Sequence, residues 1–164
     1  MPSNWAELRY DHNVIISDLY VLAEGESLDI GDVVEFTTDP PTKVRMASGD
    51  QYCYEVRRGC RNYDLEDTLV GTGADDAIGI SFSRIKEDSI DRMVAIIIHG
   101  PALVRACSLE DINPNDRVKC CSDGQVTRLA RTGLTALEAS HYNLGKAITA
   151  IPAGLVGTIF VGSS

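Results

Sequence analysis

Short runs of β-branched residues, each closed off by turn formers, set the strongest limit on what this chain can fold into. The sequence holds 13 valines, 14 isoleucines and 10 threonines. Side chains branched at Cβ are stiff, lose rotamer freedom in a helix and pack well on a pleated, half-buried surface. The first run is Val14-Ile15-Ile16, which a kink at Ser17-Asp18 separates from Leu19 to Leu22. Val33-Val34-Glu35-Phe36 follows, and Asp39-Pro40-Pro41 ends it, because proline cannot donate to a ladder. Lys43 to Ala47 alternates and is expected as its hairpin partner. Tyr52 to Val56, Ala77 to Phe82 and Met93 to His99 read as further strands, the last being the most apolar and therefore central. Gly100-Pro101 is expected to bend the chain before Ala102 to Ala106. Arg117 to Cys121 and Gln125 to Leu129 flank Ser122-Asp123-Gly124, and Asp-Gly between two β runs is a hairpin signal. Gly145 to Thr149 and Gly157 to Val161 close the chain around Ile151-Pro152-Ala153-Gly154. Thr135 to Ser140 is the one helical candidate, with Thr135 and Glu138 at capping-box spacing. The expectation is an all-β fold with at most one short helix.

A local echo links two of these runs. Gly31-Asp32-Val33-Val34-Glu35-Phe36 and Asn115-Asp116-Arg117-Val118-Lys119-Cys120 share the form x-Asp-x-Val-x-apolar. A recurring tight turn that launches a hairpin explains it, and so does chance likeness between hairpins. No duplicated domain is inferred from it.

The 164 residues fit one domain. A chain of this length can bury about 70% of its unfolded surface and needs no metal or disulfide to fold. The longest apolar run, Val94 to Ile98, is far short of the roughly 20 residues that span a bilayer. Met1 to Trp5 lacks the basic flank and apolar stretch of a signal peptide. The formal charge of −9 argues against binding nucleic acid through phosphates. The best basic cluster, Arg57-Arg58 with Arg61, is followed by Asp64, Glu66 and Asp67.

Chemistry-bearing motifs are sparse. The five cysteines, Cys53, Cys60, Cys107, Cys120 and Cys121, are odd in number and show no Cys-x-x-Cys spacing. Reduced, mostly buried thiols are expected, with no metal site and no cofactor. His12, His99 and His141 stand in no nucleophile motif. His99, at the end of an apolar run, is expected as a hydrogen-bonded core residue. The carboxylate pairs Asp75-Asp76, Glu87-Asp88 and Glu110-Asp111 read as solvated turns, with an ion at Asp75-Asp76 as the sharper alternative. Residues 1–13 are read as an N-terminal arm and residues 14–164 as a single β domain. Trp5, Leu8 and Tyr10 in the arm are candidate contacts with a capsid or neighbouring subunit, and packing on the chain's own β domain is the other reading.

The closing segment from Asn143 to Val161, Asn-Leu-Gly-Lys-Ala-Ile-Thr-Ala-Ile-Pro-Ala-Gly-Leu-Val-Gly-Thr-Ile-Phe-Val, resembles the ending of the decoration, or cement, proteins of tailed-phage capsids. Ile78-Gly79-Ile80-Ser81 and the hairpin at Asp123-Gly124 fit the same layout, and the resemblance extends over residues 77–161. It implies a compact β-barrel or β-tulip domain that forms a homotrimer. Such a trimer sits on the outer surface of an HK97-type shell, with the major capsid protein as partner and no catalytic residue. It would place the protein on the virion after synthesis in the host cytoplasm. Another virion or surface β module, such as a tail, fibre or carbohydrate-binding domain, is the alternative, and a small hydrolase with a Cys–His pair is a third.

Overall fold

The computed structural model describes residues 14–38, 40–45, 52–59, 77–107, 110–129 and 143–162. Among the described residues there are ten strands and one 3₁₀ turn. The strands are β1 (Ile15–Leu22), β2 (Val33–Phe36), β3 (Lys43–Arg45), β4 (Tyr52–Arg58) and β5 (Ala77–Ser81). The second half supplies β6 (Met93–Arg105), β7 (Arg117–Cys120), β8 (Val126–Arg128), β9 (Gly145–Ala147) and β10 (Val156–Val161). The all-β expectation holds, and the strands close into a small barrel. The helical candidate Thr135 to Ser140 lies outside the described residues.

The order β1-β4-β2-β5-β6 returns on itself, because β6 also pairs with β1. The same 13-residue β6 continues into a second sheet, in the order β6-β10-β9-β7-β8. A parallel bridge between Ala106 and Val126 brings β8 back to the end of β6. Gly100-Pro101 therefore does not end the strand, contrary to the sequence expectation. Residues 93–99 of β6 pair with β1 and residues 100–105 with β10. Val94 and Ile96 point into one core, and Ile97, Ala102 and Val104 into the other. The alternation thus changes phase between Ile97 and Ala102. Gly100, at φ 115°, supplies a backbone conformation that a side chain would resist, and a Cβ there would crowd Val14.

The two sheets are the same barrel built twice. Leu22 pairs in parallel with Val56, as Ala106 does with Val126. Val34 faces Arg58 and Phe36 faces Val56, as Val118 faces Arg128 and Cys120 faces Val126. Val33–Ile80 and Val34–Gly79 match Arg117–Lys146 and Val118–Gly145. Ile80–Ile97 matches Lys146–Phe160, and Val21–Met93 matches Arg105–Val156. The cores superimpose position for position: Leu22, Leu28, Val34, Val56, Ile85 and Ile96 in the first, Ala106, Ile112, Val118, Val126, Ile151 and Ile159 in the second.

The local echo in the sequence marks the turn that opens each copy. Asp32 accepts from the Asp29 N–H at 2.8 Å and returns its own N–H to the Asp29 carbonyl at 3.2 Å. Asp116 does the same with Asn113, at 2.9 and 3.1 Å. Gly31 and Asn115, at φ 96° and 70°, occupy the same left-handed position. Gly31 then donates to Ser81 and Asn115 to Ala147. An x-Asp turn with glycine or asparagine in the left-handed place is what this hydrogen-bond pattern requires.

The copies differ in two informative places. Between β2 and β4 the first barrel inserts β3, whereas Cys121 and Gln125 close a tight turn in the second, with Asp123 and Gly124 at φ 56° and 73°. β3 is not the hairpin partner of β2, as the sequence suggested. Both lie along β4, with Thr37 N–H donating to Glu55 O and Glu55 N–H to Thr42 O between them. The prolines therefore bulge one strand line outward instead of reversing it. The second difference concerns the carbonyls of Leu22 and Ala23. Arg92 donates to both, and also to Glu26, Lys86 and Glu87. In the second barrel the corresponding carbonyls, Ala106 and Cys107, both accept from the Gly154 N–H, at 3.2 Å each.

Cys53 and Cys107 are free thiols and buried, Cys121 is buried, and Cys120 is disulfide-bonded. This corrects the expectation of reduced thiols throughout, since spacing along the chain does not show which sulfurs meet in space.

Two predictions follow from the repeat. A Cβ on Gly79 would run into the Ile97 carbonyl, and one on Gly145 into the Phe160 carbonyl, the same contact in each copy. Gly79→Ala and Gly145→Ala should each cost roughly 1–3 kcal/mol in chemical denaturation, and a neutral result at either would contradict the packing. Arg92→Lys should cost about 1–3 kcal/mol, because an ammonium cannot present five donors in a planar fork. An unchanged denaturation midpoint would show that the five carbonyls do not need the guanidinium.

Candidate interaction surface

Trp5, Leu8 and Tyr10 lie outside the described residues, as do His12, His141 and Asp75-Asp76. His99 is half-buried and stands edge-on to Phe160, with ring centroids 5.1 Å apart. Among the described residues no group of three His, Cys, Asp or Glu side chains could hold a metal ion. No helix among them is long and apolar enough to cross a membrane.

Two of the charged pairs singled out in the sequence, Arg57-Arg58 and Glu110-Asp111, make contacts within the fold. Arg57 binds the fully buried Glu35 at 2.9 Å, and Arg58 binds Asp32 at 3.1 Å. Arg57 and Arg58 of the basic cluster are thereby engaged between β4 and the start of β2, while Arg61 lies outside the described residues. Glu110 accepts from Thr127 and Arg128, and Asp111 accepts from the Ala153 N–H.

The turn before β2 holds two aspartates whose acidities are shifted in opposite directions. Arg84 donates to Asp29 at 2.8 Å, and this bond holds the Asp29 carboxyl below the usual aspartate range. Burial pushes Asp32 above that range and outweighs the Asp29 N–H and Arg58, which pull the other way. Loss of water thus outweighs ion pairing in the direction of the Asp32 shift.

The outer faces of the two barrels carry unpartnered apolar side chains. Phe82 follows β5 and donates its N–H to Ala95; Ile148 follows β9 and donates to Thr158. These are the same position in the two copies, and both are open, at 51% and 48% of full exposure. On the second barrel the patch widens. Along β10, Val156, Thr158 and Phe160 alternate with the buried Ile159 and Val161. Leu103 lies across from Thr158, and both Leu103 and Val156 are more than half exposed. Leu155, which precedes Val156 in the chain, is also more than half exposed. Arg105 stands opposite Val156 at its edge. The alternation of these strands is visible in the sequence, but not which alternate face meets water. The duplication would have been the signal, and its two copies have diverged at nearly every outward position.

Neither a protein-family model nor a curated protein matches the chain.

Asp32 yields a pH prediction. A raised folded-state pKa means that the fold holds this proton more tightly than the unfolded chain does. The contribution is complete below about pH 4 and is lost as the pH rises through the raised value. Asp32→Asn keeps an oxygen acceptor for the Asp29 N–H and never ionises. The wild type should therefore gain stability relative to Asp32→Asn as the pH falls from about 7 to about 4, measured by urea denaturation at both ends. A pH-independent difference would contradict the assignment.

Proposed function

We propose that this chain is a structural protein of a tailed-virus particle, a cement protein that sits as a homotrimer on the outside of an HK97-type shell and stabilises it. The observation that carries this reading is the open apolar face around Leu103, Ile148 and Val156 on a rigid two-barrel scaffold. Contiguous apolar surface beyond what a monomer normally leaves in water marks an interaction site. The closing segment that resembles cement proteins forms the β9–β10 hairpin of that scaffold, and β10 supplies part of the face. The partners are further copies of the chain and the major capsid protein.

The physics of such a role is consistent with the architecture. A specific contact removes on the order of 1,200–2,000 Å² from water. A trimer engaging several shell subunits at once raises modest contacts to tight attachment through effective concentration. Static strands hydrogen-bonded into two barrels suit a clamp that need not move.

The test is co-sedimentation with expanded shells assembled from the major capsid protein of the same genome, together with mass measurement in solution. A trimer is expected, free or on the shell. Leu103→Asp with Val156→Asp should weaken shell attachment by about 100-fold while leaving the far-ultraviolet circular dichroism unchanged. A strict monomer in both settings would refute the proposal, and glycan binding without shell affinity would favour a carbohydrate-binding surface module.

A further inference from the structure

The duplication allows each loop of one barrel to be judged against its twin, and one loop of the first barrel is longer than its counterpart. Leu28 pairs with Ile85 as Ile112 pairs with Ile151, and Val21 pairs with Met93 as Arg105 pairs with Val156. Between these matched positions run seven residues, 86–92, in the first barrel and four, 152–155, in the second. The longer loop carries Ile90, whose side chain is fully exposed. The loop is nonetheless pinned. Arg92 donates to the Lys86 and Glu87 carbonyls within it and to those of Leu22, Ala23 and Glu26 beside it. The Lys86 N–H donates to the Ser89 hydroxyl at 3.0 Å, and the Ser89 N–H returns a bond to the Lys86 carbonyl at 3.1 Å. An apolar side chain held out in water on a fixed loop is a pre-organised anchor, because little freedom remains to be lost when a partner buries it. On this loop and the adjoining 23–26 turn, the exposed Glu24, Glu87, Asp88 and Asp91 outnumber Lys86 and Arg92.

A surface of opposite character lies toward the other end of β6. Leu103, Ile148 and Val156 stand around the smaller Thr158. Leu103 is across from it, the Ile148 N–H donates to its carbonyl at 2.9 Å, and Val156 is two residues before it on β10. The three apolar side chains are about half exposed and Thr158 is half-buried, which makes a shallow apolar seat. Cations flank it. Arg105 stands opposite Val156, Lys146 is two residues before Ile148, and Arg117 stands opposite Lys146. Among the described residues none of the three forms an ion pair. Like charges facing each other across strands destabilise a sheet, and a partner that brings carboxylates relieves this. In the first barrel the twins of Arg117 and Lys146 are Val33 and Ile80, both buried, so the cationic pair belongs to the outer barrel alone.

The anchor and the seat match in polarity and charge, yet one chain cannot join them to itself. Met93, where the loop ends, and Leu103 are ten residues apart on one strand, which is roughly 30 Å. A second copy is the occupant that brings them together. We infer that the 86–91 loop of one copy docks on the Leu103, Ile148 and Val156 face of the next, with Ile90 against the apolar seat and its carboxylates toward Arg105 and Lys146. Such a contact joins two different surfaces, and it closes into a ring when the rotation between copies allows. The inference deepens the trimer reading above and rests on it for the number of copies; attachment to the shell then depends on this face through the trimer that it holds together.

The test is sedimentation equilibrium of the purified chain together with cysteine cross-linking, in solution and on shells. Ile90→Asp should weaken self-association by about tenfold or more, with circular dichroism and the denaturation midpoint unchanged, since Ile90 touches no core. Glu87→Lys with Asp88→Lys should also weaken it, as should Arg105→Glu with Lys146→Glu. The chain carrying all four substitutions should associate again, which a merely structural role for these residues would not produce. Under oxidation, an equal mixture of Ile90→Cys and Val156→Cys chains should cross-link between copies more than either variant alone. A trimer that Ile90→Asp leaves intact would overturn this inference and spare the trimer reading. Ile90→Cys chains that cross-link only to each other would overturn it as well, by placing loop against loop. A strict monomer in solution and on shells, with no cross-link, would overturn both.

Discussion

Everything else in this molecule depends on one strand serving two barrels. The first half of β6 closes one ring of hydrogen bonds against β1 and β5, and its second half belongs to another ring with β10. A strand normally commits its alternate side chains to one core and one outer face. Here the phase changes near Gly100, so the same strand feeds both cores. The barrels are therefore not beads on a linker. They share backbone, and the outward faces of β2, β5 and β6 in the first are part of the interior of the second.

The sequence reveals the strands far better than their arrangement. Val33 to Phe36, Ala77 to Ser81 and the Asp123-Gly124 hairpin are legible because β-branching, alternation and turn chemistry are local properties. The failures have a common cause. Pro40-Pro41 was expected to end a hairpin arm and Gly100-Pro101 to separate two strands, yet β2 and β3 run on along β4 and β6 continues through Gly100 and Pro101. Local breakers report where a ladder bond is missing, and only the neighbouring strand decides whether the line resumes. The duplication is hard to see in sequence because what the copies share beyond the turn is scattered as single residues: Val34 and Val118, Val56 and Val126, Ile85 and Ile151, Ile96 and Ile159. Between them Leu22 corresponds to Ala106 and Phe36 to Cys120, where neither size nor identity is kept. Of the candidate contact residues, none falls within the described part of the chain, and the outer apolar face could be read only once the inward side of each strand was known.

The two copies also show how one structural need is met by different means. Each barrel must satisfy a pair of carbonyls where the chain leaves its first strand, Leu22 and Ala23 in one case, Ala106 and Cys107 in the other. In the second barrel a single glycine N–H reaches both. In the first, the Arg92 guanidinium reaches both, beside the Glu26 N–H on the Ala23 carbonyl, and gathers three further carbonyls from adjacent loops. Arginine is suited to this because its donors lie in one plane and stay charged at any working pH.

The contribution of Val33, Ile80 and Ile97 to the second core gives the molecule a direction in time. These residues precede the second barrel in the chain, so they leave the ribosome before most of what they cover. The first ring can close once β6 has emerged, and domains generally fold in that order during synthesis. The later half then condenses on a surface already in place, while the reverse order would leave that half with an unfinished interior. A tandem repeat that looks symmetrical in its hydrogen bonds is thus asymmetric in its packing, with the earlier copy lending side chains to the core of the later one.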